Sequence, residues 1–328
     1  MKYLMITVFL LVGLSVATVQ AVLAAANPRL NVAIVINPYM GDRAGPEKDI
    51  DAKAMAGGGL QDKLESAGAD LHRISEVALS ADEEKQYGRW NRFGFANKHL
   101  GDLAGDNQRR GLFNIGLFNN CSSAYGMLGG LQRAGSSGKS LRVAMVFVDA
   151  HGDFNTPETT LSGMLGGMPV AIAAGHALHN LRIQSGLLEP LPEELIVMAA
   201  VRDTDPLERE RIDTSAIAQI SVADIKGLTA SLTQQMDRLS ALADVIYVHI
   251  DLDVLEPWEV RGHPLTVPDG PTSEELAAAL KVMFAYEKAS ALGIASYPAH
   301  DDPDLTSLRA VHNLIFGAIE GRRSRQLN

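Results

Sequence analysis

Short apolar runs recur along the chain, and each is bounded by glycine, asparagine or aspartate. The runs are apolar at nearly every position, which is typical of parallel strands that are buried on both faces. Six runs have this pattern, at residues 31–36, 112–117, 143–148, 195–200, 245–248 and 292–294. We therefore predict six buried strands of a parallel sheet.

Helix-like stretches lie between these runs, at residues 59–67, 122–134, 230–243 and 273–288. The last begins with Thr272 as its N-cap, followed by acidic residues in the first turn. Strands that alternate with helices over about 300 residues predict an α/β fold, with helices on both faces of the sheet. Since no linker-like tract divides the chain, we expect a single domain from residue 27 to residue 328.

The first 26 residues have the layout of a secretory signal peptide, with Lys2, a long apolar run and three alanines at residues 24–26. We therefore predict cleavage after this segment, export to the periplasm or the medium, and no stable membrane association of the cleaved protein. A retained membrane anchor is the alternative, because residues 3–26 are long enough to span a bilayer.

Composition narrows the choice of partners. The chain has 39 acidic and 29 basic residues and a net charge of −10, whereas a nucleic-acid surface needs a basic patch. We therefore predict no nucleic-acid partner. Cys121 is the only cysteine, which excludes a disulfide framework within the chain.

Acidic residues and histidines cluster directly after two of the predicted strands. Because side chains alternate along extended backbone, each cluster can direct its members to one point. The two clusters, about a hundred residues apart, consist of Asp149, His151 and Asp153 and of His249, Asp251 and Asp253. Two solvated loops are the alternative, but buried carboxylates are costly unless cations lie between them. Oxygen and nitrogen ligands suit Mn²⁺, so we predict two divalent ions at this position.

Residues 149–163 and 249–257 resemble the metal motifs of the ureohydrolases, the arginase and agmatinase family. The resemblance extends from Gly45-Pro46 to Glu275 and implies a three-layer α/β/α domain with a central parallel sheet. It also implies a small guanidino substrate, and self-association into a homo-oligomer, because many members are trimers or hexamers.

The resemblance implies a role for each metal ligand. Asp149 and Asp251 would bridge two Mn²⁺ ions, Asp153 would complete one shell, and His151 and Asp253 would complete the other. A hydroxide between the ions would attack the guanidinium carbon, because two cations lower the pKa of bound water. Asp153 is also expected to take part in catalysis.

The resemblance to arginases, rather than agmatinases, implies contacts to both ends of an amino-acid substrate. Glu275 would pair with the guanidinium and take part in catalysis; otherwise it is an exposed acid in the first turn of a helix. The residues that match the amino-acid end are Asn155 and Ser162 for the carboxylate and Asp203, Asp205 and Glu208 for the ammonium. A solvated acidic turn is the alternative for residues 203–208.

The sequence departs from the family pattern at two histidine positions. Cys121, preceded by Asn120, stands where the family has a metal-binding histidine, and Gly166 stands where it has a proton-shuttling histidine. One ion would then be held by Cys121 together with Asp149, Asp153 and Asp251. Thiolate suits Mn²⁺ poorly, so weak binding or a softer metal is expected there. A buried structural cysteine is the alternative.

Two other histidines are candidates for the missing functions. His249 faces the same way as Asp251 and would orient a ligand or replace a missing imidazole; a histidine packed in the strand is the alternative. His263, in the loop at residues 261–264, is a weaker candidate for the proton shuttle.

The sequence resembles family members that hydrolyse N-hydroxy-arginine to ornithine and hydroxyurea. The resemblance lies in Cys121, in the absence of the proton-shuttling histidine, and in the residues that match those contacting the amino-acid end of the substrate. An N-hydroxyguanidine is less basic and more electrophilic than a guanidine, so it needs less acid catalysis. We therefore expect hydrolysis of N-hydroxy-L-arginine or L-arginine. The alternative is an exported pseudo-enzyme of the same fold that binds an amino acid or a metal.

Overall fold

The computed structural model describes residues 29–40 and 51–325. Its strands are β1 (Leu30–Asn37), β2 (Ala69–Glu76), β3 (Phe113–Phe118), β4 (Val143–Val148), β5 (Ile196–Ala199), β6 (Ala218–Ile220), β7 (Val245–Asp251) and β8 (Ala289–Ala295). They form one parallel sheet of eight strands in the order β2-β1-β3-β8-β7-β4-β5-β6. The predicted parallel sheet is confirmed.

Helices cover both faces of this sheet. They are α1 (Leu60–Ser66), α2 (Ala81–Glu84), α3 (Arg89–Arg109), α4 (Ala124–Gln132), α5 (Pro169–Ala173), α6 (His179–Gln184), α7 (Pro206–Thr214), α8 (Val222–Gly227), α9 (Ala230–Leu242), α10 (Ser273–Phe284) and α11 (Thr306–Ser324). One apolar core packs α1 and α8–α11 against the sheet, and a second core packs α3–α7 against the opposite face. These two cores make the three layers of an α/β/α fold.

The predicted strands all occur, and the structure adds β2 and β6 at the two edges of the sheet. In β2, half-buried and exposed positions alternate after its second residue, so the strand lacks the continuous apolar run of a central strand. The other edge strand, β6, has only three residues, which is too short for a pattern to be read.

Close packing of two helices fixes the segment that carries Cys121. Residues 121–123 form a single 3₁₀ turn, and α4 follows directly and packs against α3. A Cβ atom on Gly130 would lie 2.1 Å from the carbonyl oxygen of Gly101, so only glycine allows the two backbones to approach this closely.

Two parts of the sequence prediction lie outside the described residues: the signal peptide at residues 1–26 and Gly45-Pro46. Within residues 29–40 and 51–325, no helix combines the length and the apolarity that crossing a bilayer requires.

Candidate metal centre

The carboxyl ends of the central strands surround a cavity of about 290 Å³. Twelve of the fourteen residues that the sequence made candidates for the site line it. They are Cys121, Asp149, His151, Asp153, Asn155, Ser162, Asp203, Asp205, Glu208, Asp251, Asp253 and His263. The cavity therefore lies where ligand sites of parallel sheets are expected.

Possible metal ligands form three overlapping groups in this cavity. The first contains Cys121, Asp149 and Asp251, the second Asp149, His151 and Asp253, and the third Asp251, Asp253 and His263; within each, the ligand atoms lie within 4.8 Å of one another. His151 Nδ1 lies 3.1 Å from Asp253 Oδ2 and 3.4 Å from Asp149 Oδ1. Asp149 and Asp251 each belong to two groups, which is the arrangement that a bridging carboxylate requires.

Short backbone turns after β4 and β7 direct the carboxylates into the cavity. Asp149 Oδ1 accepts a hydrogen bond from the backbone N–H of His151 (2.8 Å), and Asp251 Oδ1 accepts one from that of Asp253 (3.1 Å). The two turns repeat one local design: an aspartate at the strand end accepts the N–H of the residue two positions later.

Asp153 has a left-handed backbone conformation, with φ of 48°. This conformation is unusual for a residue other than glycine, and such residues occur often at functional sites. Its carbonyl oxygen accepts hydrogen bonds from Val170 and Ala171, at the start of α5, so the helix terminus holds the strained segment in place.

Burial and mutual repulsion raise the pKa values of the clustered carboxyl groups. Burial and the charge of Asp253 raise the pKa of Asp251 to about 7, and burial and the charge of Asp149 raise that of Asp253 to about 6. Burial also raises the pKa values of Asp149 and Asp153. For His151, burial lowers the pKa, but hydrogen bonds to Asp149 and Asp253 outweigh it and raise the pKa to about 12.

The donor set fits two divalent cations. No lysine or arginine lines the cavity in the part of the chain that the structure describes, so the four buried carboxylates have the imidazoles of His151 and His263 as their basic neighbours in the lining. Carboxylate and imidazole ligands match a hard or borderline dication. The thiol of Cys121, which is 2 % exposed, adds a softer ligand on one side.

Hydrogen bonds connect the residues at the predicted amino-acid end. Asp205 Oδ2 accepts from Asn155 Nδ2 and from the backbone N–H of Leu161, both at 3.1 Å. Glu208 is buried, and its Oε1 accepts from the backbone N–H of Phe154 (2.7 Å). Asp203 is different, because 64 % of its side chain is exposed.

Ser162 also lies at this end of the cavity, in an exposed turn. Its Oγ accepts a hydrogen bond from the backbone N–H of Met164 (3.2 Å) and lies 3.3 Å from Thr160 Oγ1. The hydroxyl therefore lines the cavity beside solvent.

His249 does not line the cavity, contrary to the prediction of a catalytic role. It is fully buried between the rings of Phe147 and Phe118, at centroid distances of 5.0 and 6.1 Å, and Tyr247 Oη lies 2.7 Å from its Nδ1. Burial lowers the pKa of His249 to about 3. The packing is that of the alternative, a histidine within the strand, but only its Nδ1 is paired, since Nε2 has no hydrogen-bond partner among the described residues.

Glu275 also lies outside the cavity lining. Its Oε2 accepts a hydrogen bond from the backbone N–H of Thr272 (2.8 Å), which closes a capping box at the start of α10, and lies 3.9 Å from Lys226 Nζ. Glu275 is therefore a capping residue, and its position gives no support to the predicted guanidinium contact.

The comparisons with known proteins agree with this geometry. The sequence pattern described as "Arginase family" matches residues 41–318. The chain belongs to the arginase family. It is 25% identical over 284 residues to an arginase from Bacillus caldovelox, with 84% of this chain and 93% of that protein covered. It is 28% identical to an arginase from Neurospora crassa, with 76% of this chain and 73% of that protein covered.

Solved structures show that the arginase-family fold is preserved. The crystal structure of an arginase from Bacillus subtilis matches with a TM-score of 0.76 at 22% identity, covering 88% of this chain and 98% of that one. A formimidoylglutamase from the same species matches with a TM-score of 0.68 at 14% identity, covering 90% and 88%. Members of the arginase family hydrolyse C–N bonds of linear amidines at a binuclear metal centre, so this chain is a hydrolase of that class.

Sequence reasoning missed Ser296, which also lines the cavity. It directly follows β8, has a positive φ of 70°, and its Oγ donates a hydrogen bond to Asp251 Oδ2 (2.8 Å). Its position could have identified it from the sequence, because Ser296 is a polar residue directly after a central strand. His263 lines the cavity as well, with its Nε2 3.8 Å from Asp251 Oδ1.

Proposed function

We propose that this arginase-family hydrolase cleaves N-hydroxy-L-arginine in preference to L-arginine, releasing ornithine together with hydroxyurea or urea. One observation carries the proposal: the Cys121 thiol lies within the same group of ligand atoms as Asp149 and Asp251, while Gly166 lines the cavity without a side chain. At Cys121 the centre therefore has a ligand that binds hard metal ions weakly, and at residue 166 it has no imidazole. A substrate with a more electrophilic carbon suits such a centre.

We assign two dications, Mn²⁺ in the first instance, to the clustered ligands. Asp149 and Asp251 would be shared by both ions; Cys121 and Asp153 would complete one shell, and His151 and Asp253 the other. When bound, such ions neutralise the carboxylates and make hydroxide available near neutral pH. Because thiolate prefers softer metals, the Cys121 position would accept Zn²⁺ or Co²⁺ more readily than a histidine-containing site.

In the proposed reaction, an oxygen–carbon bond forms between water and the guanidino carbon. The bond from this carbon to the side-chain nitrogen breaks, and one proton of the water ends on that nitrogen, which leaves as the ornithine amine. The other proton ends on the imino nitrogen, and the water oxygen becomes the carbonyl oxygen of urea or hydroxyurea. Asp153 lines the cavity beside the shared aspartates, and on this ground we keep it among the catalytic residues.

We assign different roles to the three acids at the amino-acid end. The exposed carboxylate of Asp203 is available to pair with the α-ammonium group. Asp205 and Glu208 already accept hydrogen bonds from Asn155 and Phe154, so their role is to orient the loop that carries the carboxylate-binding groups. Asn155 keeps a second N–H, and Ser162 keeps its hydroxyl, for the substrate carboxylate.

The second candidate function is an amino-acid- or metal-binding pseudo-enzyme. It is favoured by the loss of two family histidines, at Cys121 and Gly166. It is disfavoured by the five retained oxygen and nitrogen ligands, since a binding protein has little use for a centre that generates hydroxide.

The test is the metal content of the purified protein, combined with ornithine release from arginine and from N-hydroxy-arginine. Two metal ions per chain and a higher kcat/KM for N-hydroxy-arginine are expected. A kcat/KM for L-arginine that equals or exceeds the value for N-hydroxy-L-arginine would overturn the proposed preference and leave hydrolysis of a guanidino amino acid. No ornithine from either substrate, with one metal ion or none, would establish the binding protein. Asp149→Asn, which removes a shared ligand, is the inactive control.

We also propose that the enzyme acts outside the cytoplasm after its first 26 residues are removed. The proposal rests on the basic, apolar and small-residue order of that segment.

A further inference from the structure

Buried polar side chains surround the turn that carries Cys121. The turn lies between β3 and α4, and its other two residues, Ser122 and Ser123, are fully buried. Two asparagines without exposed surface contact it: Asn37, the last residue of β1, and Asn97, within α3. Burial of an amide is costly unless hydrogen bonds satisfy it, so the partners of these two side chains show what their burial achieves.

Asn97 is hydrogen-bonded to the residue that directly follows Cys121. Its Nδ2 donates to the carbonyl oxygen of Ser122 over 3.1 Å, and its Oδ1 accepts from Asn37 Nδ2 over 3.2 Å. The same nitrogen of Asn37 donates to Ser123 Oγ over 3.1 Å. The two asparagines therefore hold both residues that complete the turn.

These hydrogen bonds fix the orientation of both amides. A carbonyl oxygen can only accept, so the Asn97 atom that faces the carbonyl oxygen of Ser122 is the nitrogen, and its oxygen faces Asn37. The backbone N–H of Tyr39 donates to Asn37 Oδ1 (3.3 Å), which leaves the Asn37 nitrogen for Asn97 and Ser123. Rotation of either amide by a half turn would place like groups against each other. The network therefore favours a single arrangement.

Further contacts hold the same turn. The backbone N–H of Ser122 donates to Asn120 Oδ1 (3.0 Å), and that of Ser123 donates to the carbonyl oxygen of Asn120 (3.0 Å). Ser122 Oγ donates to the carbonyl oxygen of Leu165 over 3.2 Å. Of the three residues in the turn, Cys121 is the one that lines the cavity. The backbone that carries its sulfur is therefore fixed by contacts outside the metal centre.

We propose that Asn97, together with Asn37, is a positioning residue that fixes the Cys121 sulfur for metal binding. This role rests on the proposed function, in which Cys121 is a metal ligand, and it deepens that function. A ligand that is held in place before an ion arrives loses little freedom when the ion binds. For this reason, groups that orient the ligands contribute to metal affinity although they do not touch the ion.

The probe is Co²⁺, because a bond between cobalt and a thiolate gives a near-ultraviolet charge-transfer band that carboxylate and imidazole ligands do not give. Cys121 is the only cysteine in the chain, so the band reports on this ligand alone. Titration of the purified protein with Co²⁺ after dialysis against a chelator, followed at this band, measures the affinity of the Cys121 position. The measurement is independent of turnover.

The experiment compares Asn97→Ala with Asn114→Ala. Asn114, on β3, is also fully buried and does not line the cavity, and its Nδ2 donates to the carbonyl oxygen of Ala104 in α3 over 3.1 Å. Each substitution removes a buried amide that donates to a backbone carbonyl group, so both should lower Tm. The Co²⁺ affinity at the thiolate band should fall about tenfold in Asn97→Ala and stay at the wild-type value in Asn114→Ala.

Ser123→Ala is the milder variant, and it decides the test if Asn97→Ala does not fold. It removes one acceptor of Asn37 and leaves both asparagines in place. The Co²⁺ affinity at the thiolate band should fall about threefold. Unchanged affinity in the folded variants at Asn97 and Ser123, or an equal loss in Asn114→Ala, would overturn the inference.

The outcomes for the positioning role and for the proposed function are distinct. A wild type that shows the thiolate band and is sensitive to Asn97→Ala, but releases no ornithine, refutes the proposed reaction and supports the positioning role. An active wild type with equal Co²⁺ affinity in the two asparagine variants refutes only the positioning role. A wild type without the band overturns the assignment of Cys121 as a ligand, and the positioning role with it.

Discussion

The Cys121 thiol donates a hydrogen bond to Asp251 Oδ2 across 2.7 Å. This contact joins the segment after β3 to the end of β7, 130 positions apart in the chain. Burial, together with the charges of Asp251 and Asp149, raises the pKa of the thiol well above its usual value. A cation that binds beside Asp251 would replace the thiol proton, so metal binding at Cys121 should release a proton.

Cys121→His should restore a ligand that Mn²⁺ prefers. We expect an affinity for Mn²⁺ about tenfold higher than in the wild type, and a smaller preference for Zn²⁺ over Mn²⁺. Competitive titration of the two metals measures both. Cys121→Ser, which keeps the size but removes the soft ligand, is the matched variant. An unchanged stoichiometry and affinity in Cys121→His would show that Cys121 only packs in the core.

Removal of the metal should destabilise the fold. The carboxylates of Asp149, Asp153, Asp251 and Asp253 are buried and raise one another's pKa values when no cation separates them. Ions at 100 times their Kd stabilise a protein by about 2.7 kcal/mol. Dialysis against a chelator should therefore lower Tm by about 5 °C, and added Mn²⁺ should restore it. A Tm that is insensitive to chelation would argue against the centre, provided that metal analysis confirms its removal.

Arg202→Met should loosen the loop that carries His263. The substitution keeps most of the apolar side chain but removes every donor to Val254, Val267 and Pro268. We expect faster proteolysis within residues 255–268 and a loss of about tenfold in kcat/KM. Arg209→Met is the control, because Arg209 pairs with Asp213 on the exposed surface of α7. Equal proteolysis of the two variants would contradict this role for Arg202.

His312 should make the fold sensitive to mild acid. It is buried, and Lys63 Nζ lies 3.0 Å from its Nδ1. Burial and the charge of Lys63 lower its pKa from 6.5 to about 4. Between these values the unfolded chain binds a proton at this position and the folded chain does not, so stability falls as the pH falls from 6.5 to 4.

The measurement is the free energy of unfolding as a function of pH in the wild type and in His312→Gln. The wild type should lose about 2 kcal/mol more than the variant over this interval. His72→Gln, at an exposed position on β2, should keep the wild-type slope. Parallel pH profiles for the wild type and His312→Gln would contradict the assignment.

The proposed cleavage and export of the protein can be tested directly. In a bacterial host, the processed protein should begin at Asn27, and the activity should appear in the periplasm or the medium. N-terminal sequencing and cell fractionation measure both, and Ala24→Lys, which disrupts the small-residue site, should block processing. An intact N-terminus in the membrane fraction would instead establish the retained anchor.

The sequence predicted the central part of the fold, because buried parallel strands leave continuous apolar runs. It did not reveal β2 or β6, since an edge strand is half-exposed and its pattern is weak. It also grouped most of the site correctly, because aspartates that end parallel strands must meet at one edge of the sheet.

The tertiary structure decided what the remaining polar residues do. His249 and Glu275 have suitable chemistry for a catalytic role, but one is stacked between two phenylalanines and the other caps a helix. Ser296, which sequence reasoning missed, and His263, the weaker candidate for the proton shuttle, line the cavity instead. The spacing of residues along the sequence determines which side chains at the end of a strand point to the same side. The direction of a side chain from a loop depends on contacts made by distant segments, such as those of Arg202, and only the folded chain contains these contacts.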